Sequence, residues 1–205
     1  MKRKSVKIYD YQVFPDLMPE QSLVLDIGAR YGEFTFPFLK RFGGRVICFE
    51  PLKKAVVGFL AKRKELGYGE HQAPLVQKAV WINREPQTFY EWAEGESCLG
   101  SLYEKLKQGD ASPHTGISYD VPAVTLGDVL DEYGYVDVLK MDIEGAEYRI
   151  FAEMTQSDFD HIGQIVLEQH QHCPDRNDIT GIIRSHGFQI CTSGTMVYAI
   201  NKRLL

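Results

Sequence analysis

Short apolar runs alternate with amphipathic segments along most of this chain. Runs typical of buried strands occupy residues 23–27, 46–49, 75–81, 136–141 and 164–168. Segments with the apolar spacing of helices occupy residues 34–41, 53–66, 126–133, 146–153 and 179–186. Because strands that alternate with helices form a parallel sheet covered on both faces, the pattern predicts an α/β, Rossmann-like, doubly wound and mostly parallel fold.

Two strand-like runs at the end of the chain interrupt this alternation. Residues 188–192 and 196–201 are separated by a short turn around Gly194, which is typical of a hairpin. One C-terminal strand of the sheet should therefore run antiparallel to its neighbours.

Two further segments lie outside the regular pattern. Residues 93–118 are rich in glycine, serine and charge and show no clear periodicity. Since loops of this length in compact domains are usually functional or mobile, we predict a substrate or lid loop there. Residues 1–21 mix aromatic and polar side chains and are predicted to cap the mouth of a site. A chain of 205 residues fits one domain, which we take to span residues 1–205.

The most informative motif follows the strand at residues 23–27. Asp26 lies at the end of that strand, and Gly28 and Gly32 form the turn into the next helix. Glycines let the backbone approach a ligand where a side chain would clash, and a helix start offers unpaired N–H groups. The next strand ends in Glu50, where an acid can accept hydrogen bonds from both hydroxyls of a ribose. These features predict a nucleoside cofactor at the carboxyl edge of the sheet.

The glycine spacing bears on which nucleoside cofactor is bound. The nicotinamide fingerprint G-x-G-x-x-G places a pyrophosphate at the helix start, whereas three residues separate Gly28 from Gly32 here. Asp26 would repel a pyrophosphate but attract an ammonium or a sulfonium. The motif therefore favours S-adenosyl-L-methionine. An NAD(P)-dependent oxidoreductase on a similar fold and a non-catalytic cofactor-binding module remain alternatives.

A second motif carries the candidate chemistry. Asp142 follows the apolar strand at residues 136–141, at the edge where open α/β sheets bind ligands. We interpret Asp142 as a candidate catalytic base, with Lys140 and His170 as weaker candidates. Acids in a first helical turn also complement the helix dipole, so Glu144 has both a structural and a substrate-binding interpretation. The candidate substrate contacts are Ser97, Ser101 and Glu144.

The same sheet edge contains a candidate metal site. Glu168 ends the strand predicted to lie beside Asp142, and His170 points the same way if the chain stays extended. Two acids and one imidazole can hold a divalent ion. In the alternative interpretation, His170 is a solvated loop residue and Glu168 pairs with Lys140. The lack of a fixed metal-site spacing favours this second interpretation.

Four sequence blocks, in this order, resemble the FkbM-type methyltransferase family. They are D-I-G-A-x-x-G-x-x-T from residue 26, F-E-P from residue 49, V-T-L from residue 124 and K-x-D-x-E-G-x-E from residue 140. The resemblance covers about residues 23–168 and implies a class I methyltransferase-like domain. It also implies transfer of a methyl group from S-adenosylmethionine, commonly to hydroxyls of sugars or secondary metabolites.

The resemblance also implies how the cofactor lies. The methionine part would contact the turn after the first strand, the ribose would contact Glu50, and the adenine would lie against Ala79 and Val80. The predicted cofactor-binding residues are Asp26, Gly28, Ala29, Gly32, Phe34, Thr35, Glu50, Pro51, Ala79, Val80 and Asp142.

Composition restricts the partners. The formal net charge of −5 argues against a nucleic acid or an anionic membrane surface. No apolar run approaches the length of a membrane span, and none follows Lys2-Arg3-Lys4 as it would in a signal peptide. The four cysteines lack metal-binding or redox spacing. We therefore expect a cytoplasmic enzyme that acts on a small-molecule hydroxyl, with its oligomeric state left open.

Overall fold

A seven-stranded sheet with the order β13-β14-β12-β11-β3-β4-β5 forms the centre of the computed structural model. The structure describes residues 4–94, 97–103, 114–170 and 173–205. The strands are β1 (Val6–Ile8), β2 (Tyr11–Val13), β3 (Leu23–Ile27), β4 (Arg45–Phe49), β5 (Leu75–Val76), β6 (Ala79–Trp81), β7 (Gln87–Glu94), β8 (Ser97–Ser101), β9 (His114–Val121), β10 (Ala123–Thr125), β11 (Val136–Met141), β12 (Ile162–Glu168), β13 (Phe188–Ser193) and β14 (Met196–Asn201). The α-helices are α1 (Thr35–Phe42), α2 (Lys53–Glu65), α3 (Leu126–Tyr133), α4 (Glu147–Glu153), α5 (Gln156–Asp160) and α6 (Ile179–Ser185).

Strand directions confirm the predicted fold class. β11 pairs in parallel with β12 and β3, and β4 pairs in parallel with β3 and β5. β14 runs antiparallel to both β12 and β13, as the C-terminal hairpin predicted. Among the described helices, none combines the length and hydropathy needed to cross a lipid bilayer.

The central strands consist mainly of apolar residues because both faces of the sheet are covered. Alternate side chains along each strand enter different parts of the core. One cluster includes Leu25, Ile47, Leu139 and Ile165. Another cluster includes Val24, Val46, Val138 and Val166. Burial of these two sets fixes the register of the four central strands, since a slip of one residue would exchange the faces.

This register brings the strand ends together. Asp26 lies opposite Lys140, and Met141 lies opposite Leu167. The residues that follow each strand therefore meet at one edge of the sheet, and Asp142 emerges beside Glu168.

The predicted strand at residues 75–81 is wrong in extent. β5 belongs to the central sheet, whereas β6 pairs in parallel with β10 in a separate two-stranded sheet. The apolar run is continuous in sequence, but the chain leaves the central sheet after Val76.

The prediction of an irregular loop at residues 93–118 is also wrong for the described part of that segment. β7 pairs antiparallel with both β8 and β9, so residues 93–94, 97–101 and 114–118 are extended. Small and polar residues in these strands leave no regular alternation of apolar side chains that would predict a sheet. A side chain at Gly100 would collide with the ring of Phe89, so packing favours glycine there. Residues 95–96 and 104–113 lie outside the described residues.

The N-terminal segment forms an antiparallel hairpin of β1 and β2. Tyr9, in its tight turn, has a positive φ of 53°. The end of the hairpin is fixed to the sheet by Gln164, whose side chain accepts from the N–H of Phe14 at 2.9 Å and donates to its carbonyl at 3.1 Å. The hairpin therefore lies at a defined position beside the carboxyl edge of the sheet.

Candidate active site

The turn after β3 is shaped by close packing. Gly28 and Gly32 have φ values of +80° and +81°, which favour glycine. A side chain at Gly28 would collide with the carbonyl oxygen of Asp142, and one at Gly32 would collide with the ring of Phe36. These glycines were predicted to serve a ligand, but protein contacts alone already require them.

Glu50 is held at the end of β4 by two backbone donors. Its carboxylate accepts hydrogen bonds from the N–H groups of Arg30, at 2.7 Å, and Leu52, at 2.8 Å. Burial raises the pKa of Glu50 to about 7, although both hydrogen bonds favour the charged form. A buried carboxylate with this pKa gains from further hydrogen-bond donors, such as sugar hydroxyls.

An open cavity lies along the carboxyl edge of the sheet, with about 890 Å³ of space that includes its solvent-filled mouth. The predicted cofactor residues that line it are Gly28, Ala29, Phe34, Glu50, Pro51, Ala79, Val80 and Asp142. Among the described lining residues that the sequence analysis did not single out are Tyr9, Tyr11, Arg30, Phe89 and Leu102. Phe89 and Leu102 extend the apolar wall beside Ala79 and Val80.

Three predicted cofactor residues are not among the described residues that line this cavity: Asp26, Gly32 and Thr35. Asp26 is fully buried and accepts a hydrogen bond from the Thr35 hydroxyl at 2.6 Å. Asp26 and Thr35 therefore support the turn from the side away from the cavity. The expectation that Asp26 contacts a cationic ligand directly is wrong.

Lys140 is the ionic partner of Asp26. Its Nζ lies 3.0 Å from Oδ1 of Asp26 and donates to the carbonyl of Gly28 at 2.7 Å. Burial favours the neutral amine, but the charges of Asp26 and other nearby carboxylates outweigh this effect and raise the pKa of Lys140. A protonated amine cannot serve as a base, so the candidate role of Lys140 in catalysis is not supported. The alternative pairing of Lys140 with Glu168 is also wrong, because Lys140 pairs with Asp26.

Asp142 lies on the cavity wall with its two oxygens in different surroundings. Oδ2 accepts a hydrogen bond of 2.6 Å from the hydroxyl of Tyr11, while Oδ1 lies 3.6 Å from Nε2 of His170. Tyr11 was not predicted at the site, because it lies 131 residues from Asp142 in the chain and lacks a motif of its own.

His170 is held by a buried acid. Glu147 accepts hydrogen bonds from the backbone N–H of His170, at 3.1 Å, and from its Nδ1, at 2.9 Å. The other carboxylate oxygen of Glu147 accepts a hydrogen bond from the N–H of Gly145 at 3.0 Å. The expectation that His170 is a solvated loop residue is wrong, since its side chain is only 17% exposed.

This arrangement fixes the charge of His170. Nε2 of His170 points toward Glu144, 3.3 Å away, and toward Asp142. Burial opposes the imidazolium, but the hydrogen bond and charge of Glu147, with the charges of Glu144 and Asp142, outweigh it and raise the pKa of His170 to about 10. His170 is therefore a cationic donor near neutral pH, not the proton acceptor considered in the sequence analysis.

Ser101 supports the site and does not face the cavity. Its hydroxyl donates to the carbonyl of Glu144 at 2.9 Å, and the side chain is 1% exposed. Glu144 has a positive φ of 55°, an uncommon conformation that this hydrogen bond helps to hold. The predicted contact of Ser101 with a substrate is therefore wrong, while Glu144 does line the cavity. The side chain of Ser97 lies outside the described residues.

Asp142, Glu168 and His170, which the sequence suggested as candidate metal ligands, come together in the structure. Each offers a ligand atom, and these atoms lie within 4.8 Å of one another. Glu168 also accepts a hydrogen bond from Thr195 at 3.2 Å. Two carboxylates and one imidazole can hold a divalent cation, but such an ion would have to displace the proton of His170, because only the neutral imidazole ligates a metal.

The sheet order, the glycine turn after β3 and the buried acid after β4 define an α/β domain of the class I methyltransferase type. The family model described as Methyltransferase FkbM domain matches residues 26–190. This chain therefore belongs to the FkbM methyltransferase family, which confirms the resemblance seen in its motifs.

Similar proteins agree with this family. The 31-O-demethyl-FK506 methyltransferase FkbM of Streptomyces tacrolimicus is 30% identical, over 86% of this chain and 76% of its own length. A solved structure of Methyltransferase FkbM from Methylobacillus flagellatus KT has a TM-score of 0.60 at 16% identity, over 88% of this chain and 44% of its own length. This chain thus spans less than half of that larger protein. The magnesium protoporphyrin IX methyltransferase of Synechocystis PCC 6803, solved with bound SAM, has a TM-score of 0.50 at 16% identity, over 91% of this chain and 72% of its own length. At these identities the solved structures establish the fold alone.

Proposed function

We propose that this protein transfers a methyl group from S-adenosylmethionine to a hydroxyl of a small molecule, such as a sugar or another metabolite. The observation that carries the proposal is the buried carboxylate of Glu50, which lines the same cavity as Asp142. Glu50 suits a ribose, and Asp142 suits the cationic and reactive end of the cofactor. The name of the Streptomyces relative, a 31-O-demethyl-FK506 methyltransferase, supports oxygen as the acceptor atom.

The cavity offers a different surface to each part of the cofactor. In this proposal the ribose hydroxyls donate to Glu50, and the adenine lies between Pro51, Ala79 and Val80 on the apolar wall. The methionine part follows Gly28, Ala29 and Phe34 toward Asp142. The ion pair of Asp26 and Lys140 supports this path indirectly, because Lys140 holds the carbonyl of Gly28.

The proposed reaction is an in-line displacement at the methyl carbon. A bond forms from the acceptor oxygen to carbon as the carbon–sulfur bond breaks, which leaves a neutral thioether. The hydroxyl proton passes to Asp142, the candidate base. Because the donor is already activated, alignment of the two reactants supplies much of the effect, on the order of 7–11 kcal/mol in well-oriented systems.

We include a divalent cation in this proposal as a second way for Asp142 to act. Asp142, Glu168 and His170 would be its ligands, and Glu147 would orient the imidazole of His170, as outer carboxylates do in metal sites. A bound cation lowers the pKa of a coordinated hydroxyl. Isothermal titration with magnesium, manganese and zinc tests this part separately. Absence of heat with all three ions would remove the metal and leave the rest of the proposal intact.

Ligand-dependent thermal unfolding tests the cofactor. We expect S-adenosylhomocysteine to raise the Tm and NAD to leave it unchanged. Glu50→Ala should lose the stabilisation, whereas Glu65→Ala, on the exposed face of α2, should retain it. Stabilisation by NAD alone would instead favour an oxidoreductase.

A methyl-transfer assay against a library of hydroxyl compounds tests turnover. A protein that binds the cofactor but modifies no compound would favour a non-catalytic module.

A further inference from the structure

Tyr11 is enclosed on several sides by the cofactor turn and the central sheet. Its ring meets Phe34 edge to face, with centroids 5.6 Å apart at 87°. Nζ of Lys140 lies 5.1 Å from the centroid of the same ring. The residue is 4% exposed, and its hydroxyl is 2.6 Å from Oδ2 of Asp142. The hydroxyl therefore has a fixed position and a single polar partner among the described contacts.

The element that carries Tyr11 is also fixed. β2 continues into Phe14, whose N–H and carbonyl both bond to the buried side chain of Gln164 on β12. Val13, the neighbour of Phe14, is fully buried. Gln164 thus joins the N-terminal hairpin to β12. β12 pairs with β11, the strand that immediately precedes Asp142.

The contact with Tyr11 makes the two oxygens of Asp142 unequal. The Tyr11 hydroxyl donates to Oδ2, because an ionised carboxylate can only accept. Oδ2 is occupied by that donor, while Oδ1 lies on the side of His170, and Asp142 itself lines the cavity. A carboxylate held in this way presents one defined oxygen to an incoming hydroxyl.

We propose that Tyr11 is a positioning residue, which holds Asp142 so that Oδ1 faces the acceptor hydroxyl. This inference rests on the proposed function. In the transfer step the acceptor proton passes to Oδ1, while Tyr11 keeps its own proton and its hydrogen bond to Oδ2. The N-terminal hairpin then contributes to the chemistry through a single hydroxyl.

Tyr11→Phe tests the proposal because it removes the hydroxyl and keeps the ring. We expect kcat to fall about 10- to 100-fold, as expected for a misplaced catalytic group, while the acceptor KM and the Kd for S-adenosylhomocysteine change less than about twofold. Tyr198→Phe is the matched control, since Tyr198 is a buried tyrosine of the same hydrophobic cluster and is not among the described lining residues. It should retain the parent kcat.

Two kinetic results would overturn the proposal. One is an unchanged kcat in Tyr11→Phe, and the other is an equal loss in Tyr198→Phe, which would indicate a general effect of removing a buried hydroxyl. Crystal structures of the parent and of Tyr11→Phe give a readout that needs no turnover. Rotation of the Asp142 carboxylate in the variant supports the positioning role, and an unchanged orientation overturns it. A parent protein that binds S-adenosylhomocysteine but transfers no methyl group contradicts the proposed function, and the crystal structures still decide the role of Tyr11.

Discussion

Nδ1 of His170 lies 2.9 Å from Oε1 of Glu147, a carboxylate with no exposed surface. The contact joins the loop after β12 to the first turn of α4. It also directs the other ring nitrogen of His170 toward Asp142 and Glu144. Glu147 also lies in the first turn of α4, where an acid complements the helix dipole, so it combines that role with holding the imidazole in place.

Loss of this contact should destabilise the protein. Glu147→Gln removes the charge that accepts from His170, and hydrogen bonds to charged groups contribute about 1.5–3 kcal/mol. We expect the free energy of unfolding in urea to fall by about that amount. Glu153→Gln, on the exposed part of the same helix, is the control and should have little effect. Equal stability of the two variants would contradict the role given to Glu147.

Removal of the candidate base should separate chemistry from binding. Asp142→Ala should abolish methyl transfer, because no group then takes the acceptor proton, while affinity for S-adenosylhomocysteine survives. Radiolabel transfer and isothermal titration measure the two properties. Asp131→Ala, an exposed acid on α3, should change neither. Turnover by Asp142→Ala near the parent rate would refute the assignment.

Cofactor affinity should depend on pH through Glu50. Its pKa is raised to about 7, and the ionised carboxylate is the form that accepts both ribose hydroxyls. Affinity for S-adenosylhomocysteine should therefore be full above that value and fall as the pH decreases through it. The loss should be about tenfold one pH unit below the pKa, because only about a tenth of the sites remain competent.

Glu50→Gln separates this effect from other groups that titrate in the same range, such as Glu144, whose pKa burial also raises to about 7. The amide cannot ionise, so its weaker affinity should vary little between about pH 6 and pH 8 if Glu50 is the source. Titration calorimetry across this range provides the measurement. A pH dependence that persists in Glu50→Gln would point to another group.

The buried pair of Asp26 and Lys140 should be costly to break. Removing one partner leaves the other charge uncompensated, at a cost of about 3–5 kcal/mol. Asp26→Asn should therefore lower the free energy of unfolding by that order. It should also weaken cofactor binding, since Lys140 no longer holds the turn at Gly28 with the same geometry.

The double variant Asp26→Leu with Lys140→Met provides the comparison for that pair. Because it removes both charges, it should be more stable than Asp26→Leu alone or Lys140→Met alone. Urea unfolding of the three variants measures the difference. Additive losses would mean that the two side chains do not form a coupled pair.

Much of the sheet could be predicted because its strands are buried on both faces. β11 and β14 were predicted with their observed bounds, since apolar residues predominate in each. β8 and the first part of β9 could not be predicted in this way, because they carry glycine and polar residues; only the end of β9, from residue 119, reads as extended in the sequence. The period of apolar side chains gives no signal for such strands.

The cavity-lining residues were predictable where an acidic residue directly follows a buried strand. Glu50 and Asp142 were predicted at the edge where both line the cavity, because parallel strands place their carboxyl ends at one edge. The roles of Asp26 and Lys140 needed the register, which sets them opposite each other on neighbouring strands. Tyr11 could not be found, because nothing in the sequence relates the hairpin to a strand end 131 residues later.

The close approach of Gly28 to the carbonyl of Asp142 leaves no room for a side chain at position 28. The two walls that would hold the donor and the base touch there through main-chain atoms. Even an alanine at position 28 would therefore have to push the two walls apart.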